Sequence, residues 1–172
     1  MIRKATEQDL AAVAAIYERI VTREQQGLAR IGWLPGVYPV AATAEAALAR
    51  GDLFVLEAAG CVAAAAVINQ IQVDAYALGQ WRRPARAEEV CVLHTLVVDP
   101  ALPRQGLGRR FVAFYEDYAR SRGWPCLRMD TNAKNTVARE FYRKLGYEEI
   151  GIVPCVFNGI PDVDLVLLEK EV

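Results

Sequence analysis

The sequence predicts an α/β (α+β) fold, a mixed central sheet of about six to seven strands flanked by about four helices. Three observations lead there. Between residues 89 and 129 an apolar run, a helical stripe and a second apolar run follow in order, which requires two parallel strands joined by a crossover helix. Short apolar runs at 53–58 and 61–69 flank Ala59-Gly60 and read as a hairpin, and runs at 147–153 and 163–168 surround a turn with Asn158-Gly159. Apolar residues at three- and four-residue spacing, each stretch closed by glycine, mark the helices.

Thr6 caps the first helix after a short opening strand, and Leu10, Val13, Ala14, Tyr17 and Ile20 give its core-facing stripe. Gly27 to Val40, rich in glycine and proline and holding Trp33 and Tyr38, is a loop. Thr43 opens an alanine-rich helix that ends near Gly51, and the hairpin follows. Tyr76 to Arg86 reads as a solvated loop because of Arg82-Arg83-Pro84. Glu89 to Val98 is a strand, predicted to be buried on both faces near its end, where Leu96-Val97-Val98 stops alternating. Leu107, Phe111, Phe114, Tyr115 and Tyr118 line a helix stopped by Gly123; Cys126 to Met129 is a strand, and Asn135 to Leu145 a helix closed by Gly146.

A chain of 172 residues without linker or repeat predicts one domain, residues 1–172, with a core that needs no disulfide or metal. Its net charge of −1 gives no global field for nucleic acid or an anionic membrane, so neither is an expected partner. Cys61, Cys91, Cys126 and Cys155 are widely spaced without a C-x-x-C pair, and read as buried thiols in a reducing compartment. No signal-like or membrane-spanning stretch is evident, which predicts a cytoplasmic protein.

The chemistry starts at the junction "PRQGLGRR". A helix N-terminus offers unpaired N–H groups and partial positive charge, and Gly106 and Gly108 let an anion approach the amides of Gln105, Gly106, Leu107, Gly108, Arg109 and Arg110. Arg104, Arg109 and Arg110 add charge. The competing reading is a tight turn with solvated arginines. A third fingerprint glycine is replaced by Phe111 and no G-K-[ST] is present, so the ligand expected is a diphosphate held without metal. Further on, Asn135, Ala138 and Tyr142 share one face of the later helix, beside an apolar stripe of Val137, Phe141 and Leu145. By itself Tyr142 reads first as a half-buried core tyrosine.

Together the two segments resemble the GNAT superfamily of N-acetyltransferases. Leu96-Val97-Val98-Asp99-Pro100 followed by "PRQGLG" matches the family's strand and turn, and Asn135, Ala138, Tyr142, Gly146 and Tyr147 match its N-x-x-A-x-x-x-Y…G-[FY] helix. "GWLPGVYP", "GDLFVLEAAG" and "DAYALGQW" look like a bacterial branch that acts on small molecules. Pro103 stands where the family has arginine or glutamine, with Arg104 as the neighbouring substitute. The resemblance implies a three-layer fold with a splayed parallel pair, and acetyl-CoA as cosubstrate without metal. The pyrophosphate would lie on the Gln105 to Arg109 amides, the pantetheine arm along Leu96, Val97 and Val98, and Asn135 beside it.

The implied acceptor is a small-molecule amine, and the resemblance also allows a homodimer. Such an amine, with a pKa near ~10.4, must lose a proton before attacking the thioester. His94, the single histidine, is placed two residues before Leu96 and hence on the same strand face; it competes as base with Glu88 and Glu89, and its alternative is a hydrogen-bonded core residue. Tyr142 is the implied acid for the departing thiolate. Trp33, Tyr38, Tyr76 and Trp81 would wall the acceptor pocket or pack the loop. A protein or peptide N-terminal acetyltransferase and a non-catalytic acyl-CoA-binding module are the rival functions.

Overall fold

The computed structural model describes residues 1–102 and 105–172. Seven strands form one sheet in the order β1-β2-β3-β4-β5-β7-β6, with β1 at Ile2–Lys4, β2 at Leu53–Ala58, β3 at Cys61–Asn69, β4 at Val90–Val98, β5 at Cys126–Asn132, β6 at Glu148–Phe157 and β7 at Ile160–Glu171. Every neighbouring pair is antiparallel except β4 and β5. The last two strands run longer than their apolar text, because half of the β6 side chains face solvent; Pro154 is tolerated since β6 is an edge.

Helices cover both faces. Helix α1, Leu10–Gln25, buries Val13, Ile16, Tyr17, Ile20 and Val21, and packs with α2, Ala41–Arg50, over β2 and β3. On the opposite face α3, Leu107–Arg122, buries Leu107, Phe111, Val112, Tyr115 and Ala119 against a core that also takes Tyr142 of α4, Thr136–Lys144. Ala63 to Ala66 in β3 are fully buried between these layers. Their small side chains let helices approach both faces of the sheet closely. Gly123 ends α3 at φ 71°, where its N–H bonds back to Ala119 and Arg120, as its position predicts.

Three expectations are corrected by the structure. In β4 the fully buried part is the start, Val90 to Leu93, whereas Leu96 and Val98 are half-exposed because the neighbouring strand has moved away. The 76–86 segment is not simply solvated. Tyr76 is buried in a short 3-10 turn, the Trp81 indole N–H donates to the Tyr76 carbonyl at 2.8 Å, and the backbone N–H groups of Arg82 and Arg83 donate to the wholly buried Glu169 carboxylate. Arg82 and Arg83 also pair with Glu148. Of the cysteines, Cys91 and Cys126 are buried, but Cys61 is exposed at its hairpin and Cys155 only half-buried. Among the described residues no helix is long and apolar enough to cross a membrane.

Candidate active site

The parallel pair holds together only over Val90–Leu93 and Cys126–Met129. Beyond it β4 continues alongside β3 and β5 alongside β7, so the sheet opens between them. A cleft of about 520 Å³ occupies the opening. Because strand backbone on the β4 side has lost its parallel neighbour, its polar groups from His94 onward are free to pair with an extended ligand chain. Thr95 shapes this edge. Val67 lies opposite His94 and Ala65 opposite Val97, so two residues, Thr95 and Leu96, face the single Ala66, a bulge with Thr95 at φ 50°.

One wall of the cleft carries the helix starts. Gly106, at φ 67°, precedes α3, and the first intrahelical bond runs from the Arg110 N–H to the Gly106 carbonyl. The N–H groups of Leu107, Gly108 and Arg109 therefore have no partner within the helix. Gly108 lines the cleft, where a Cβ would stand 3.4 Å from the Phe141 ring. Gln105 and Arg109 are exposed, and among the described residues Arg109 and Arg110 join no ion pair. Arg104 and Pro103 lie outside the described residues. On α4, the Asn135 Oδ1 caps the helix by accepting from the Ala138 N–H at 3.1 Å, leaving its amide nitrogen for the cleft. Val137, expected in an apolar stripe, is instead 80% exposed at the cleft mouth.

Tyr142 projects from α4 into the same space. It is buried between the Phe141 and Tyr147 rings, and its hydroxyl has no hydrogen-bond partner among the described residues. Burial, reinforced by the nearby Asp130 charge, pushes its phenol well above the usual value, so it carries its proton at any working pH. Leu96, Val97 and Val98 line the cleft across from it. At the far end stand Trp33, Tyr38 and Phe157, with Tyr38 edge-on to both neighbours at centroid separations of 5.9 Å. The Tyr38 hydroxyl pairs with that of Thr95, and burial pushes the Tyr38 phenol up to about 12.

A strand edge freed by divergence, a glycine-led helix start and a tyrosine on the next helix thus face one cleft. The sequence pattern described as the acetyltransferase (GNAT) family matches residues 16–147. The chain belongs to this family. An uncharacterized N-acetyltransferase of Methanocaldococcus jannaschii is 32% identical over 73 residues, 42% of this chain and 32% of that protein. The match thus spans about a third of that relative. Among solved structures, a ribosomal-protein-alanine N-acetyltransferase from Brucella melitensis superposes with TM-score 0.71 at 23% identity, covering 100% of this chain and 99% of the other. The acetyltransferase-like yncA protein of Salmonella typhimurium, solved with acetyl-CoA, gives 0.68 at 23% identity, covering 99% and 92%. These likenesses establish the GNAT fold.

Within this GNAT frame the remaining predicted residues separate. The bulge at Thr95 reverses the alternation of β4: Leu96 and Val98 continue the face of Cys91 and Leu93 toward α3, and His94 faces the other way. The expected shared face of His94 and Leu96 is therefore corrected. His94 lines a second pocket beside α2, where its Nε2 meets the Asn69 Oδ1 at 3.0 Å, and burial lowers its imidazole to about 4. Glu88 and Glu89 sit at the closed end of the parallel pair, with Glu89 tied to Arg86. Trp81 is also absent from the cleft lining; it packs on Tyr76, with the Arg128 guanidinium 4.0 Å above its ring.

Asp130 was not singled out by sequence. It lines the cleft one residue beyond the last parallel pairing, and its Oδ2 accepts from the Tyr76 hydroxyl at 2.8 Å. Desolvation pushes its carboxyl up to about 6, partly offset by that hydrogen bond. Its one sequence signal is a second charge, after Arg128, at the end of the strand-like stretch Cys126 to Met129.

Proposed function

We propose that this protein is an acetyl-CoA-dependent N-acetyltransferase that transfers acetyl to the primary amine of a small molecule by direct attack in a ternary complex. The observation that carries the reading is a cleft that passes between diverging strands, with helix starts on one side and an aromatic end on the other. The residues lining the cleft fit the cosubstrate. The Leu107, Gly108 and Arg109 N–H groups suit a pyrophosphate, and the free β4 edge at Leu96 to Val98 suits an amide-bearing arm. The Asn135 amide nitrogen and the Phe141 ring flank the path between them.

Acetyl-CoA, when bound, supplies an activated thioester carbonyl and a thiol leaving group. The protein's own groups do the rest. The bulge at Thr95 and Leu96 leaves a backbone N–H out of the β3 ladder, and such a fixed donor stabilises charge on a carbonyl oxygen by roughly 3 kcal/mol. Tyr142 holds the proton that the sulfur needs. With ordinary values, a phenol near ~10 donating to a thiolate near ~8.5 works uphill by about 2 kcal/mol. Burial raises the phenol, yet the same surroundings disfavour the bare thiolate, so the two effects oppose.

Trp33, Tyr38 and Phe157 close the acceptor end, which favours a small amine over an extended peptide. Thiol release from acetyl-CoA, followed across matched sets of small primary amines and N-terminal peptides, tests this reading. Turnover with amines and not peptides is expected; turnover with peptides alone, or with neither, overturns it.

A further inference from the structure

We infer that Arg19 of α1 is a positioning residue for the cosubstrate: through Asp99 it fixes the turn by which β4 hands over to α3, and so aims the amides that take the diphosphate. This rests on the reading above that acetyl-CoA binds at the start of α3. Three observations meet at this pair.

The first is where Asp99 stands. Its N–H donates to the Ala63 carbonyl at 2.9 Å, one rung beyond the end of β4, and its own carbonyl accepts from the Leu102 N–H at 3.2 Å. The Asp99 Oδ1 accepts from the Ala101 N–H at 2.9 Å. Backbone and side chain of one residue therefore close the turn. Pro100, inside that turn, lines the cleft, and Gly106 opens α3 a few residues on.

The second is the direction of its side chain. Val98 packs with the α3 layer and Val97 with the α1 layer, so Asp99, two residues past Val97, continues the α1 face. There Arg19 meets it as a fork: Nε donates to Oδ1 at 2.9 Å and Nη2 to Oδ2 at 2.7 Å. The planar guanidinium is what permits this two-point contact. Arg19 has little freedom at its base, because Ile16, Tyr17 and Ile20 around it in α1 are buried. Ile20 beside it and Arg23 one turn on line the cleft. The ion pair thus ties the rigid helix on one face of the sheet to the turn that feeds the helix on the other.

The third is charge. Asp99 is 8% exposed, and among the described residues Arg19 is the one cation paired with it. A carboxylate left unpaired there would repel a diphosphate at the start of α3 and favour any opening of the turn that brings it to water. Paired, it does neither. The turn is ordered before the ligand arrives, so less ordering is left for binding to impose.

The test compares wild type with Arg19→Gln, Arg19→Ala and Arg19→Lys, by calorimetry with coenzyme A and by steady-state rates with acetyl-CoA and 2-phenylethylamine, at a temperature where melting curves show each variant folded. Arg19→Gln keeps a helix-forming side chain of similar reach, and serves should Arg19→Ala fold poorly. Both should weaken coenzyme A binding about tenfold and raise the acetyl-CoA KM to match, with kcat and the amine KM within about threefold of wild type. Arg19→Lys, which keeps the charge and loses the fork, should recover part of the lost affinity. Unchanged coenzyme A affinity in Arg19→Gln overturns the inference, and so does an equal rise in both KM values, the mark of a general loosening. If no amine is turned over, the transferase reading fails and the calorimetry alone decides this one. Should wild type bind no coenzyme A, both fall.

Discussion

Replacing Asp130 with asparagine is expected to stabilise the protein at neutral pH and leave it nearly unchanged in acid. The folded carboxyl is held at about 6, against 3.8 ordinarily. Between those values the unfolded chain has released its proton while the folded chain keeps it, so stability falls as pH rises through the window. A shift of about two units corresponds to at most about 3 kcal/mol lost above pH 6. Asparagine still accepts from the Tyr76 hydroxyl and carries no charge to bury. His94 acts in the opposite sense: with its folded value near 4, the unfolded chain gains a proton below 6.5 that the folded chain refuses, so stability falls as pH drops from 6.5 to 4. The two limbs overlap in the wild type, and only the difference between variant and wild type isolates Asp130. Urea unfolding from pH 4 to 7.5 reads it, with equal m-values as the check on two-state behaviour. A gain that grows from near zero at pH 4 to about 2–3 kcal/mol at pH 7 is expected. A pH-independent difference, or a variant less stable at pH 7, refutes the desolvation of this half-buried charge.

Tyr142→Phe should lower kcat by ~10²- to 10⁴-fold while leaving thermal stability near wild type, because the lost hydroxyl has no bonded partner among the described residues; steady-state rates and a melting curve check both. His94→Gln should abolish the stability loss between pH 6.5 and 4, up to about 3 kcal/mol, as read by unfolding titrations. Among the described residues Gly106→Ala places no new atom near another group, so its cost is backbone strain at φ 67°, about 1 kcal/mol in urea, with weaker coenzyme A binding by calorimetry.

What could be read in advance follows the range of the forces involved. The glycine-led start of α3, its stop at Gly123 and the helix beginning at Asn135 are written by neighbours within a few residues, and the sequence carries them. So are the hairpin and the strand-helix-strand unit that fixes the parallel pair. The placement of His94 fails because one extra residue at Thr95 reverses strand parity, and no periodicity in VCVLHTLVV marks where the ladder skips. Arg82 and Arg83 look solvated until Glu148 and Glu169, more than sixty positions away, come alongside. Asp130 is hidden for the same reason: its partner Tyr76 lies 54 residues earlier, and only the folded sheet leaves the carboxylate without a cation.

A crystal structure with coenzyme A bound asks the most of all this. The arm is expected beside Leu96 to Val98, the pyrophosphate against the Leu107 to Arg109 amides, and the sulfur within hydrogen-bond reach of the Tyr142 hydroxyl. Coenzyme A bound elsewhere, or a sulfur turned away from that hydroxyl, contradicts the mechanism.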